Sequence, residues 1–384
     1  MPNLKDIIDV AQALESKAVR VVADRCVVVR NRHASCRRCI KACPADAITV
    51  RNNELTLDSH ACVSCGACTT VCPVEALVPL DPTDADLATG AARSAGALDG
   101  CAVIACARIA AKDLGDPSKY TIVPCMARVD EGMLVELAAA GVARIMLVDG
   151  TCRTCKYRAT EPGVDETVDQ ARRLIVAMGG STEVERANAF PPEALLEDRA
   201  SLYGQERRGF FSRSTRRARE ASVKTAEVMV FKEFEERMPS LKERLGVTAS
   251  GAMPWLSAQR CERLMDSLDQ IGAPTCDTID ARRFGTVSID EEKCSACGMC
   301  AVFCPTGALK KSDERPADGV GSYLEFQAFD CANCGMCADV CMKKCLTVSS
   351  EVPADELFDF EPRLIHLPDP PKRTGMLTGF RRNK

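Results

Sequence analysis

The sequence predicts an α+β chain of several domains: two small cysteine-rich modules near its ends, a small α/β parallel-sheet domain between them, and a helical connector. Three observations carry this. The 384 residues suffice for two or three domains with cores of their own. Most of the 24 cysteines gather in C-x-x-C arrays near both ends, the pattern of metal sites rather than of disulfides. Between the arrays, short β-branched apolar runs alternate with segments of helical pattern.

One unit recurs along the chain. CVSCGACTTVCPVEAL starts at Cys62, CSACGMCAVFCPTGAL at Cys294 and CANCGMCADVCMKKCL at Cys331, while CRRCIKACPADAI from Cys36 is an incomplete copy. The copies form two pairs, in segments 1–84 and 284–350. The run C-x2-C-x2-C-x3-C-P holds a cubane [4Fe–4S] cluster in two-cluster ferredoxins, where the fourth cysteine ligates the other cluster. Both pairs therefore read as ferredoxin-like dicluster modules. Cysteines three residues apart let a short loop wrap one face of the cubane. Gly66, Gly298 and Gly335, beside the second cysteine, free that loop to turn tightly. The interlocked pattern assigns Cys43, Cys62, Cys65 and Cys68 to a first cluster. Cys36, Cys39 and Cys72 go to a second, Cys294, Cys297, Cys300 and Cys341 to a third, and Cys304, Cys331, Cys334 and Cys337 to a fourth. Zinc is the plainer alternative, but zinc sites rarely repeat this run in pairs.

Two departures stand out. Cys341 is followed by Met342 instead of proline, and Cys345, four residues on, is either a substitute ligand or a spare buried thiol. In the first motif His33 fills the slot of the leading cysteine, with Cys26 further upstream. A histidine ligand has precedent in Rieske centres, but thiolate is the natural soft partner of iron–sulfur units. Cys26 lies between VRVVAD and VVVRN, so it is expected on a short strand, with a hairpin-like excursion leading back to Cys36. The segment resembles bacterial cluster proteins with a C…V-R-x-R-x-A-x-C-x2-C-x3-C-P run, on Cys26, Val29, Arg30, Arg32, Ala34, Cys36, Cys39, Cys43 and Pro44. Cys26 is the expected fourth ligand of the second cluster. His33 is the alternative, and an incomplete three-iron cluster the third reading.

In segment 98–180, CAVIACA, YTIVPC and RIMLVDG read as strands and EGMLVELAAAG as a helix, which implies a parallel sheet. Five cysteines fall here: Cys101, Cys106, Cys125, Cys152 and Cys155. Strand ends gather on one edge of such a sheet, and four thiolates there can hold a two-iron cluster. CARIAAKDLG and TIVPCMARVDEGMLVELAAAGVARIMLVDGTCRTCKYR resemble the delta subunit of methyl-viologen-reducing hydrogenase. The matching residues are Cys106, Asp113, Leu114, Cys125, Arg128, Val129, Asp130, Cys152, Cys155 and Tyr157. The resemblance implies a [2Fe–2S] cluster and a link between a hydrogenase or formate dehydrogenase and heterodisulfide reductase. The spacings C-x4-C at Cys101/Cys106 and C-x2-C at Cys152/Cys155 reverse the family's tendency, which leaves open which four of the five are ligands. A thioredoxin-like dithiol at Cys152 and Cys155, or plain buried cysteines, are the rival readings.

Segment 181–283 reads as a helical connector, with KTAEVMVFKEFEERM and SAQRCERLMDSLDQIG as its amphipathic stretches. Segment 351–384, ending in LPDPPKRTGMLTGFRRNK, reads as an extended tail. The N-terminus has no signal-peptide layout and no window has 18 uninterrupted apolar residues, so no membrane span is expected. Cluster thiolates need a reducing compartment, and the cytoplasm is the default. A net charge of −4 gives no pull toward nucleic acid, and the basic run from Arg207 reads as a solvated helix or a docking face. Neither G-x-G-x-x-G nor a P-loop occurs, so no flavin or nicotinamide is expected in this chain. His60 and His366 read as solvent-exposed. The expected function is electron transfer by a non-catalytic cytoplasmic subunit with four [4Fe–4S] clusters and one [2Fe–2S] cluster. Its expected partners are a flavoprotein and a heterodisulfide-reductase-like, hydrogenase or dehydrogenase component. A thiol–disulfide or heterodisulfide-type reductase acting at the central cysteines is the alternative, and an iron–sulfur redox sensor or scaffold the second.

Overall fold

The computed structural model describes residues 18–196 and 253–370. The N-terminal stretch, the expected helix KTAEVMVFKEFEERM, the basic run from Arg207 and the end of the tail lie outside the described residues.

The first module runs through β1 (Val19–Val21), α1 (Val27–Arg30), α2 (Arg38–Ala42), the hairpin β2 (Ile48–Arg51) and β3 (Glu54–Leu57), α3 (Ala67–Thr70) and β4 (Leu77–Pro79). β1 pairs antiparallel with β4. The hairpin turns on Asn52 and Asn53, both at positive φ, the residue type and geometry that suit a two-residue turn between twisted strands. Cys26 does not lie on a strand as expected: it is the residue before α1, and a helical turn carries the chain onward. Valines favour strands only where a sheet receives them. Here Val27, Val28 and Val29 are buried in a core instead, and the Asn53 side chain donates to Val29 O at 2.9 Å.

The middle of the chain builds α4 (Asp84–Ala97), β5 (Cys101–Cys106), α5 (Ala107–Ala110), β6 (Thr121–Val123), α6 (Glu131–Ala139), β7 (Arg144–Val148), α7 (Glu161–Ala177) and β8 (Glu183–Ala187). The four strands are parallel in the order β6-β5-β7-β8. All six residues of β5 are buried, which explains their unbroken apolar run. The order reverses between β5 and β7, so a switch point lies at their carboxyl ends. The segment read as a helical connector is only partly that. Its α8 (Gln259–Ile271) packs on α6 and buries Cys261, Leu264, Met265 and Leu268, as its amphipathic pattern predicts. β8 instead completes the sheet; its sequence EVERA is too short and charged to read as a strand without the β7 edge beside it.

The second module comprises β9 (Thr278–Asp280), β10 (Thr286–Ile289), α9 (Met299–Val302), β11 (Leu309–Lys311), β12 (Ser322–Phe326), α10 (Met336–Asp339), β13 (Leu346–Ser349), β14 (Glu351–Pro353), α11 (Ala354–Phe358) and β15 (Arg363–Leu367). The pairs β10–β13 and β11–β12 repeat those of the first module. Residues 351–367 are not an extended tail: β14 pairs with β9, and β15 adds to β12, burying Ile365 and Leu367. His366 lies in β15, with Nδ1 3.1 Å from a Glu291 carboxylate oxygen that holds its pKa up.

The central domain does not separate the modules. They meet directly: Ser35 Oγ donates to Asp339 at 2.9 Å, Arg38 donates to Asn333 O at 2.6 Å, and Met336 and Val340 enter the core of Val27–Val29. The junction with the central domain is ionic. Arg128 and Arg260 both reach Asp84, at 2.6 and 2.9 Å, and Arg283 reaches Glu131 at 3.0 Å beside the Arg282–Glu131 pair. Arg260 and Arg283 also donate to the carbonyls of Thr69 and Thr70, which end α3 and would otherwise lack partners.

Candidate iron–sulfur centres

The three complete cysteine motifs share a backbone that their composition does not announce. Ser64, Ala296 and Asn333 have positive φ, and each is followed two residues on by Gly66, Gly298 or Gly335, also at positive φ. This left-handed pair curls the loop between the first and third cysteines. Gly66 is the most constrained of the three. A Cβ there would lie 2.5 Å from Arg128 Cδ, whereas one on Gly335 meets nothing within 4 Å. Gly335→Ala should therefore cost only the backbone strain, about 1–2 kcal/mol. Gly66→Ala should cost clearly more and loosen Arg128 from Asp84. Thermal unfolding of both variants checks this, and equal losses would refute it.

After the fourth cysteine a second shared turn follows. Asp46, Glu75, Gly307 and Lys344 all have positive φ. The turn aims backbone N–H groups at sulfur: Ala47 N lies 3.3 Å from Cys43 Sγ, Ala76 N 3.2 Å from Cys72 Sγ and Leu309 N 3.5 Å from Cys304 Sγ. Such donors favour thiolate, the ligand form.

Within the first and the fourth expected sets, members lie near one another. Cys65 and Cys68 neighbour Cys62 and Cys43, and Cys331 and Cys337 neighbour Cys334 and Cys304. A cavity lined by Cys304, Cys331, Cys334 and Cys337 opens among Leu309, Phe326 and Val348. Burial first, then neighbouring thiols, pushes Cys39 up to about 12 and Cys65 and Cys300 up to about 11. Buried sulfurs crowded in this way ionise together only when positive charge compensates them, so the residues fit an iron–sulfur group. Among the described residues no three such side chains converge on a single ion. Each thiolate of a cubane binds its own iron, so the four surround a space instead.

For the second set the geometry favours Cys26. It is 9% exposed, neighbours Cys36, Cys39 and Cys72, and receives the N–H groups of Val28 and Val29 from the start of α1. His33 is exposed, its backbone N–H held by the Asn31 side chain. Arg37 stands where the complete motifs carry the left-handed glycine, and its φ of −134° is ordinary. A loop that takes its first ligand from upstream has no need of that glycine.

In the central domain the structure divides the five cysteines. Cys106 ends β5, Cys125 follows β6, and Cys152 and Cys155 flank a 3-10 turn after β7. All four sit on the carboxyl edge of the sheet; Cys125 is felt by both Cys106 and Cys152. Cys101 begins β5, roughly 16 Å of strand from Cys106, against the Arg144 side chain. It lies on the wrong edge to join them. Arg128 and Asp130, part of the family resemblance, are buried ion-pair residues of the domain junction. Sequence reasoning missed that junction; the adjacent Arg282–Arg283 pair just before the second module was its one visible signal.

The sets also approach one another in a single order. Cys300 of the third neighbours Cys337 of the fourth; Cys334 of the fourth neighbours Cys36 of the second. Cys39 of the second neighbours Cys68 of the first, and Cys65 of the first neighbours Cys125 of the central edge.

Models of the 4Fe-4S dicluster domain match residues 34–77 and residues 280–345. No curated protein and no solved structure matches the chain. The chain is thus an iron–sulfur protein with two 4Fe-4S dicluster domains, which imply four [4Fe–4S] clusters and an electron-transfer role. Among the described residues no helix is long and apolar enough to cross a membrane.

Proposed function

We propose that the chain is a cytoplasmic electron-relay subunit whose central domain holds a [2Fe–2S] cluster on Cys106, Cys125, Cys152 and Cys155, with catalysis left to partner oxidoreductase subunits. The observation that carries this is the unbroken order of cysteine sets, third to fourth to second to first to the central edge. Bound clusters supply one-electron acceptors and donors, with potentials set by burial and hydrogen bonds to sulfur. The protein's part is to hold each set against the next and to offer contact at both ends. At one end Cys297, Met299 and Met342, all within the motifs of the third set, are exposed. At the other, exposed Arg108, Arg153, Lys156 and Arg158 rim the central edge and suit an acidic partner. The hydrogenase-delta resemblance supports a heterodisulfide-reductase-like component, a flavoprotein, or a hydrogenase or dehydrogenase as the partner class.

A thiol–disulfide reductase at Cys152 and Cys155 fits less well. Burial, then Asp149, pushes the Cys152 thiol up to about 12, whereas an attacking thiol needs its pKa lowered.

Iron analysis with EPR on anaerobically purified protein tests the reading. About eighteen irons per chain are expected, four cubanes plus one two-iron centre. About sixteen, with a titratable Cys152–Cys155 dithiol, would sink the central cluster. Cys106→Ala and Cys125→Ala should each abolish the two-iron signal, while Cys101→Ala should keep it. Loss of that signal in Cys101→Ala would overturn the ligand set.

A further inference from the structure

We propose that Cys345 is a reserve ligand of the third cubane site, able to replace Cys341 as its fourth thiolate. This rests on the four-cubane assignment and is independent of the central two-iron centre.

In the other three motifs the residue four past the last ligand is Ala47, Ala76 or Ala308. In the first module the shared left-handed turn brings that position back against the ligand sulfur, Ala47 N to Cys43 Sγ and Ala76 N to Cys72 Sγ. Alanine offers only a methyl group there, which cannot ligate. Cys345 instead ends in sulfur, 3.4 Å from Cys341 Sγ, and lies near Cys294, the first ligand of the same set. Its side chain is 7% exposed, so the contact is enclosed within the site. Cys345 is therefore a fifth thiol at a four-thiol site, in contact with Cys341 and near Cys294.

The second anomaly of this motif points the same way. Pro44, Pro73 and Pro305 follow the last ligand elsewhere, and proline locks φ near −65°. Met342, 83% exposed, takes that place here, so no ring locks φ, and the turn is closed by the Lys344 N–H donating to Cys341 O at 3.1 Å. Without the proline lock, the turn can shift one sulfur out and the other in more readily than in the other three motifs. The exchange balances without an oxidant. Cys345 gives up its thiol proton as it ligates; Cys341 leaves as thiolate and takes a proton. One ligand bond breaks, one forms, and the net charge of the site is unchanged.

The full chain, purified anaerobically, is read by iron per chain and by EPR after reduction. Cys341→Ala should keep its iron to within about one atom and keep the signals of all cubanes. The matched Cys304→Ala, whose motif carries Ala308 at the reserve position, should lose one of those signals and up to about four irons. The double variant Cys341→Ala with Cys345→Ala should lose as much as Cys304→Ala, and Cys345→Ala alone should lose none. Iron loss in Cys341→Ala equal to that in Cys304→Ala overturns the proposal, as does iron loss in Cys345→Ala alone. Cys300→Ala separates the two levels: if it loses no iron, the third cubane itself is wrong and the proposal falls with it. Should Cys341→Ala not accumulate, Cys341→Val keeps apolar bulk in the space of the thiol without a ligating atom and is read by the same criteria.

Discussion

Cys26→Ala is expected to lose one cubane signal and up to about four irons, whereas His33→Ala keeps every signal. Three features of Cys26 favour this outcome: a buried thiol, N–H donors from Val28 and Val29, and three ligand cysteines as neighbours. His33 has none of them, since its ring faces solvent while an Asn31 contact holds only its backbone. The effect should reach beyond one site. Cys36 and Cys39 of the same set face Cys334 and Cys68, so the second set is the bridge between the modules. Electron flow from the far module to the central edge should collapse in Cys26→Ala, as followed by stopped-flow reduction. Retention of all cubane signals in Cys26→Ala, with loss of one in His33→Ala, would reverse the assignment.

Glu131→Gln is expected to cost about 3–5 kcal/mol of stability, the range for breaking a buried ion pair from one side. Glu131 is fully buried and ion-paired with Arg282 and Arg283, so the substitution leaves two guanidinium groups undercompensated. Asp130 relieves only part of this, lying 3.3 Å from Arg283. Such a loss is a large share of an ordinary domain's stability of about 5–15 kcal/mol. Chemical denaturation of both proteins measures it, and a cost under about 1 kcal/mol would count against the network.

The same network sets an acid limit. Burial by itself would raise the Glu131 carboxyl, but Arg283 and Arg282 outweigh it and hold the group well below the ordinary carboxylate range. Asp84, between Arg260 and Arg128, is lowered in the same way. A carboxyl depressed in the folded state contributes stability that is fully present above its unfolded pKa, about 4. That contribution is lost as pH falls further toward the folded value. The wild type should therefore lose stability steeply below about pH 4, and Glu131→Gln less steeply.

The two dicluster modules were legible because iron–sulfur ligation is local. Cysteines three residues apart can wrap a cluster wherever the loop lies, and the interlocking fourth cysteine follows from the paired motif. The parallel sheet was legible for a related reason: buried on both faces, its strands show as unbroken apolar runs. Less visible were elements that exist only against a partner. β8 and β15 are short and partly charged, and each becomes a strand because a sheet edge accepts it. VVVRN looked like a strand but became α1, because its valines are buried in the core rather than paired in a sheet. Cys101 and Cys106 sit close in sequence, yet a six-residue strand carries them to opposite edges.

The spatial order of the centres was beyond the sequence altogether. Read along the chain, the central domain lies between two modules; in space the modules touch and the central edge lies beyond the first. That order rests on contacts such as Ser35 with Asp339 and Arg283 with Thr70, between residues hundreds of positions apart. Motif spacing marks the cysteine-rich modules because a few bonds of backbone set the spacing of their thiols. Which cluster faces which depends on complementary surfaces of distant segments, and these have no period or spacing to read.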